Sequence, residues 1–226
     1  MRTILITGGN DGLGKALAER LATDNQVVLV GRAADALRNL ADIIGARWLV
    51  CDVRDPSQIE QTIDKVVKEF GAIDILINNA GVVVNGDLTS TRNSDIENVI
   101  ATNTLGAIYM AKAVLTHMAS RRTGQIVNIN SQSGLSARPG RSVYNASKWA
   151  ITGFTKALQE EAATHGVRVT GFYPGTMDTN FFHKAGIDMK GAAIPIDDAV
   201  RAIEFILSVN GETAVTEMGI KPFGPQ

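Results

Sequence analysis

The sequence predicts an α/β fold in which helices cover both faces of one doubly wound, parallel sheet. Three observations carry the prediction. Six short β-rich runs, from Thr3 to Thr7, Val27 to Val30, Arg47 to Cys51, Ile73 to Ile77, Gln125 to Ile129 and Val167 to Phe172, are near-continuously apolar, as strands buried on both faces are. Amphipathic helical stretches fill the intervals, and such alternation favours parallel strands joined by crossover helices. The turn-forming and polar motifs follow the runs, which puts them at the carboxyl ends of the strands, where sheets of this type bind ligands.

The first run passes at once into Thr7-Gly8-Gly9-Asn10-Asp11-Gly12-Leu13-Gly14. Residues without a Cβ let the backbone approach a pyrophosphate at a helix N-terminus, so this loop predicts a phosphate cradle; a plain strand-to-helix turn is the alternative. Its Gly8-x-x-x-Gly12-x-Gly14 spacing differs from the G-x-G-x-x-G dinucleotide fingerprint. The second run ends in Gly31-Arg32, with no carboxylate. After the third run, Ile59, Ile63, Val66, Val67 and Phe70 recur at helical spacing. Asp55 is the expected N-cap, Pro56 takes the first helical position, and Gln58 is placed to complete a capping box.

Asn78-Asn79-Ala80-Gly81 follows the fourth run, and Leu105 to Ala119 reads as a helix that is apolar on more than one face. Beyond the fifth run come Ser131, a Gly/Pro-broken loop, and a helix start carrying Tyr144 and Lys148, four residues apart and therefore on one helical face. An ammonium beside a phenol favours the phenolate, and lowering a phenol pKa by about three units takes on the order of 4 kcal/mol, within reach of a desolvated site. Pro174-Gly175 ends the sixth run, and Met218 to Phe223 reads as the end of a last strand.

Bulk properties narrow the function. The 226 residues carry a net charge of -1, which supports neither a nucleic-acid nor an acidic-membrane partner. A single cysteine, Cys51, excludes an internal disulfide framework and suits a reducing cytosol. There is no long apolar leader after Met1 and no continuous apolar run of membrane-spanning length, so a cytoplasmic protein is expected. His117, His165 and His183 are scattered, so no metal site is expected. Nothing divides the chain, and residues 1–226 are expected to form one domain.

Taken in order, Thr7 to Gly14, Asn78 to Gly81, Ser131, Tyr144-x-x-x-Lys148 and Pro174-Gly175 make the chain resemble the classical short-chain dehydrogenase/reductase family, from Arg2 to about Thr179. The resemblance implies a Rossmann-type, NAD(P)-binding domain that moves hydride between nicotinamide and a carbonyl or secondary alcohol. It implies that Tyr144 is the acid/base, that Lys148 lowers its pKa and holds the nicotinamide ribose, and that Ser131 orients the substrate oxygen. Ser133 competes with Ser131 but lies two residues off the family spacing. Asn103 matches the asparagine that supports a water relay to the lysine, with a helix-capping amide as the alternative.

For the cofactor, the resemblance implies contacts from Gly8, Asn10, Asp11, Gly12, Leu13 and Gly14, from Asp52 and Val53 to the adenine side, and from Asn79, Ala80 and Gly81. Tyr144, Lys148, Pro174, Gly175 and Thr179 complete the set. Arg32 favours NADP, because a guanidinium pairs bidentately with a 2′-phosphate; NAD stays as the alternative, since Asp11 stands where many NADP-preferring relatives carry a base.

Residues 180–194 fall where the family keeps a substrate lid, with Phe181, Phe182 and Met189 suited to an apolar substrate and His183 and Lys184 to a polar one. Arg138 and Arg141 read as solvated loop arginines, with an anionic substrate as the alternative. Val82 to Asp87 lacks the Thr-Arg-Asp-type sequence of acyl-carrier-protein ketoreductases. The wide apolar stripe, with Trp149 and Phe154 on the next helix, predicts a homodimer or homotetramer. The competing function is a non-catalytic NADP sensor or scaffold of the same fold.

Overall fold

The computed structural model describes residues 1–177, 179, 181 and 191–224. Its strands are β1 (Thr3–Thr7), β2 (Gln26–Gly31), β3 (Arg47–Val50), β4 (Ile75–Asn78), β5 (Gly124–Ile129), β6 (Val167–Pro174) and β7 (Glu217–Ile220). They form one sheet in the order β3-β2-β1-β4-β5-β6-β7, with every pairing parallel. The order reverses direction at β1, so the carboxyl ends of β1 and β4 part there and leave the crevice in which ligands bind in such sheets.

Strand periodicity assigns each apolar side chain to a layer. Ile4, Ile6, Val27, Leu29, Ile75 and Ile77 pack on one face, beneath α1 (Gly12–Leu21), α2 (Ala34–Ile44) and α7 (Ile196–Ser208). Leu5, Val28, Val30 and Leu76 point the other way, into α3 (Pro56–Phe70), α5 (Ala107–Arg121) and α6 (Ser142–Ala163). That two-sided burial is why the strands read as continuous apolar runs. The predicted runs match the strands to within two residues at either end, β6 continuing through Tyr173 and Pro174.

Asp55 caps α3 by accepting from the backbone N–H groups of Ser57 and Gln58, with Pro56 in the first turn. The expected capping box is not closed in the usual way. The Gln58 side chain reaches past the N-cap backbone, accepting from Asp52 N–H at 2.9 Å and donating to the Asp55 carboxylate at 2.9 Å. A cap has thereby become a tie between β3's exit and α3.

A helix α4 (Asn93–Ile100) runs through a π-helical segment, Ala101–Gly106, into α5. The stretch Asn93–Arg121 is long and apolar enough, by length and composition alone, to cross a membrane, which single-run counting misses. Met110, Ala111, Val114 and Met118 nevertheless turn into the core against the sheet. The wide stripe is therefore divided: one face is core, while Leu105 stays exposed and Tyr109 and Leu115 are partly buried.

Candidate active site

The glycine turn is held open from behind. Thr7, the last residue of β1, accepts at its hydroxyl from the backbone N–H groups of Asn79 and Ala80, both at 3.0 Å. Asn79 returns its amide to the carbonyls of Thr7 and Gly8, at 3.0 and 3.1 Å. The two motifs, more than seventy residues apart in sequence, are thus one clamp across the β1–β4 crevice. Gly8 and Gly12 take left-handed φ angles of 64° and 49°, which L side chains rarely adopt. A Cβ on Gly14 would come within 2.3 Å of the Gly8 carbonyl oxygen, so this glycine is a packing requirement and lines neither cavity of the cleft.

Two adjoining cavities follow the crevice. The first, with about 810 Å³ of empty space, is lined by the turn residues Gly8, Asp11, Gly12 and Leu13 and by Ser131, Tyr144 and Lys148. Asn79, Ala80, Gly81, Pro174, Gly175 and Thr179 also border it. The second, with about 1310 Å³, carries Asn10, Arg32, Asp52 and Val53. Asp11 caps α1, accepting from Gly12 N–H at 2.9 Å. The turn therefore presents backbone to the first cavity beside a helix start, an arrangement that fits a dinucleotide diphosphate.

Ser131, just past β5, accepts from Ser133 N–H at 3.1 Å and begins a short 3-10 turn. Its hydroxyl faces the Tyr144 phenol and it lines the first cavity, whereas Ser133 borders a neighbouring recess. Tyr144 and Lys148 sit in the first two turns of α6 and are both buried. Lys148 Nζ donates to the Ile129 carbonyl at 3.0 Å and stands 5.9 Å from the Tyr144 ring centre.

Burial acts on both ionisable groups at this end of the cleft. Tyr144's phenol is pushed up to about 12, not down, because burial outweighs the hydrogen bond to Ser131 and the charge of Arg141. Lys148 does not figure among the causes. Burial lowers its own pKa to about 8, so the ammonium is the strained partner. A phenol kept neutral is a proton donor over the whole physiological range, while the lysine changes charge close to it.

Asn103 lies in the π-helical segment and is buried. Its side chain pairs with Val82 in both directions at 2.8 Å and donates to Ser147 Oγ at 3.0 Å; Ser147 in turn donates to the Tyr144 carbonyl at 2.7 Å. Its amide thus ties the loop after β4 to α6. At the other end, Asp52 accepts from Arg54, with an oxygen 2.5 Å from Nη2, and the guanidinium holds the carboxyl below its usual range. Arg32 is exposed beside it.

Some of the site has no sequence signature. The Ile129 carbonyl that receives Lys148 is backbone, and Met177 lines the first cavity without any motif. Phe181 stands 6.4 Å from the Tyr144 ring at a tilt of 54° and borders both cavities, which agrees with an apolar cover. Phe182, His183, Lys184 and Met189 lie outside the described residues. At the far end of the expected lid, Ile194 N–H donates to the Thr176 carbonyl at 2.8 Å.

Parallel doubly wound sheet, glycine turn at its switch point and a hydroxyl, phenol and ammonium over the same crevice together define a dinucleotide-binding protein of the oxidoreductase class. The family model described as short chain dehydrogenase matches residues 2–190, and the chain belongs to that family. It is 32% identical over 193 residues to the 3-oxoacyl-[acyl-carrier-protein] reductase FabG of Salmonella typhimurium, spanning 84% of this chain and 79% of the relative. Carbonyl reductase family member 4 of Xenopus tropicalis is 30% identical, with 96% of each chain covered. Among solved structures, the closed form of serine dehydrogenase complexed with NADP+ superposes with a TM-score of 0.91 at 28% identity, covering 96% of this chain and 94% of that one.

Proposed function

We propose that the chain is an NADP-dependent oxidoreductase that interconverts a small-molecule carbonyl compound and its secondary alcohol, working as a single dinucleotide-binding domain. The observation that carries this reading is the convergence of Ser131, Tyr144 and Lys148 on the cavity that opens onto the glycine turn. NADP supplies or accepts the hydride when bound. Gly8, Gly12 and Leu13 would carry its diphosphate on backbone, and Arg32 its 2′-phosphate, there being no carboxylate at the end of β2. The solved structures crystallised with NADP or NADPH point the same way.

In reduction, Tyr144 delivers its phenolic proton to the carbonyl oxygen, and the Ser131 hydroxyl donates to the same oxygen as charge develops on it. In oxidation the phenol's oxygen receives that proton back. Lys148, fixed by the Ile129 carbonyl and lining the same cavity, is placed to hold the nicotinamide ribose. Asn103 is a positioning residue, fixing α6 through Ser147.

The half-buried apolar strip on α5, with exposed Leu105 and a Trp149 that is 51% exposed on α6, supports a homodimer or homotetramer, which light scattering would reveal as a multiple of the 24.1 kDa chain mass. The function itself is tested by following NADPH and NADH consumption with a panel of ketones, ketoacyl thioesters, sugars and alcohols. Turnover with NADPH is expected. Tight NADP binding without turnover of any member would favour the sensor reading.

A further inference from the structure

Next to the cleft lies a recess that shares Ser131 and Gly175 with it, so a molecule seated against the Ser131 hydroxyl extends into it. The 3-10 turn beginning at Ser131 contributes to its lining. One wall is the loop before α6, with Arg138 and Arg141; Arg141 is close enough for its charge to act on the Tyr144 phenol. The other wall is the stretch after β7, with Lys221.

That second wall is placed by packing. Gly175 N–H donates to the Ile220 carbonyl at 2.7 Å, and a Cβ on Gly175 would come within 3.2 Å of the Lys221 backbone and the Pro222 ring. The bare glycine lets the C-terminal stretch lie against the cleft wall, bringing Lys221 to the recess that the arginines also line. Three cations thus meet on about 980 Å³ of empty space in a chain whose net charge is -1, with no carboxylate among the described lining residues. A guanidinium has five N–H donors, so each arginine can hold an anion while keeping another acceptor.

We propose that the substrate is anionic: a short carbonyl acid or its hydroxy acid, or the corresponding phosphate, with its charged group among Arg138, Arg141 and Lys221 and its reacting oxygen between Ser131 and Tyr144. This rests on the oxidoreductase reading and adds the substrate class. The apolar Phe181, against the Tyr144 ring in the same cleft, then suits the uncharged end.

The NADP-loaded protein is titrated calorimetrically with 3-hydroxybutanoate, its methyl ester and 3-hydroxybutyl phosphate, and each is assayed for NADP+ reduction. An anion is expected to bind at least tenfold more tightly than the ester, the better of the two anions distinguishing carboxylate from phosphate. Lys221→Glu and Arg138→Gln, both at exposed positions, should erase that preference while leaving affinity for NADP and oxidation of the ester unchanged, and Lys221→Arg should restore it. Equal affinities for ester and anions, no measurable binding of either anion, or an anion preference untouched by the substitutions would overturn the proposal. Anion-selective binding without NADP+ reduction would instead strike at the oxidoreductase reading and leave the anion site standing.

Discussion

The two ends of the cleft hold their charges in opposite ways. At the β5–α6 end, Lys148 is 6% exposed and Tyr144 4%; one donates to a backbone carbonyl, the other faces a serine hydroxyl, and both pKa values are moved by burial. At the β2–β3 end, Asp52 and Arg54 form an ion pair whose side chains are 22% and 38% exposed, with Arg32 in solvent beside them. The lesson concerns leverage. A buried titratable group is screened far less than a solvated one, whereas a solvated pair contributes about 1 kcal/mol or less. Changes at the first end should alter chemistry, and those at the second should alter choice of ligand.

The sharpest way to break the contrast is Tyr144→Phe. It removes one buried hydroxyl and should lower kcat/KM by about 10²- to 10⁴-fold, the usual worth of a positioned acid/base, with NADP affinity by fluorescence titration nearly unchanged. A loss no larger than that from changing Arg32 would erase the distinction between the ends.

Lys148 gives a pH signature. ¹⁵N NMR of lysine side chains should find one ammonium with a midpoint near pH 8, missing from Lys148→Met. Its folded pKa lies below the unfolded value, so below pH 8 both states carry the proton and the cost of burying it is fully present. Above pH 8 the unfolded chain binds the proton that the folded one has shed, and stability rises with pH until the unfolded lysine also titrates. Denaturant unfolding at pH 7.5 and 9.5 should show that rise in the parent and a weaker one in Lys148→Met. The phenols work against it only at higher pH, where Tyr144 and Tyr173, with raised pKa values, lose stability as the unfolded tyrosines ionise first.

At the solvated end, Arg32→Ala should weaken NADP by about tenfold, roughly 1.4 kcal/mol, and leave NAD affinity and kcat unaltered. The smallest effect belongs to Arg54→Ala, which should cost below about 1 kcal/mol of folding stability in urea titrations because the pair it breaks is exposed. An effect on kcat larger than that of Lys148→Met would show that the exposed pair has more reach than its burial allows.

Much of this was legible because period and spacing are local. Two-sided burial wrote continuous apolar strands, Asp55-Pro56 wrote the start of α3, and Tyr144 and Lys148 lie on one face of a helix wherever that helix packs. Readings that depended on a second partner from elsewhere in the chain fared less evenly. Gln58 was drawn past its own cap to Asp52, and the bonds of Asn103 to Val82 and Ser147 could not be read from its position. The π-helical segment has no residue signature, since Gly106 packing against Val53 is a matter of where α3's approach crosses α5.

The chain's own order of residues determined the α/β class, the strand ends at which motifs collect, and which side chains were chemically equipped for a site. Tertiary structure alone decided the sign of the phenol's shift, because desolvation depends on everything packed around a group and a pairwise spacing contains none of that. It likewise decided that Lys221 lines one recess with Arg138 and Arg141, more than seventy-five residues away in sequence, since only the folding of β7 against β6 brings those residues together.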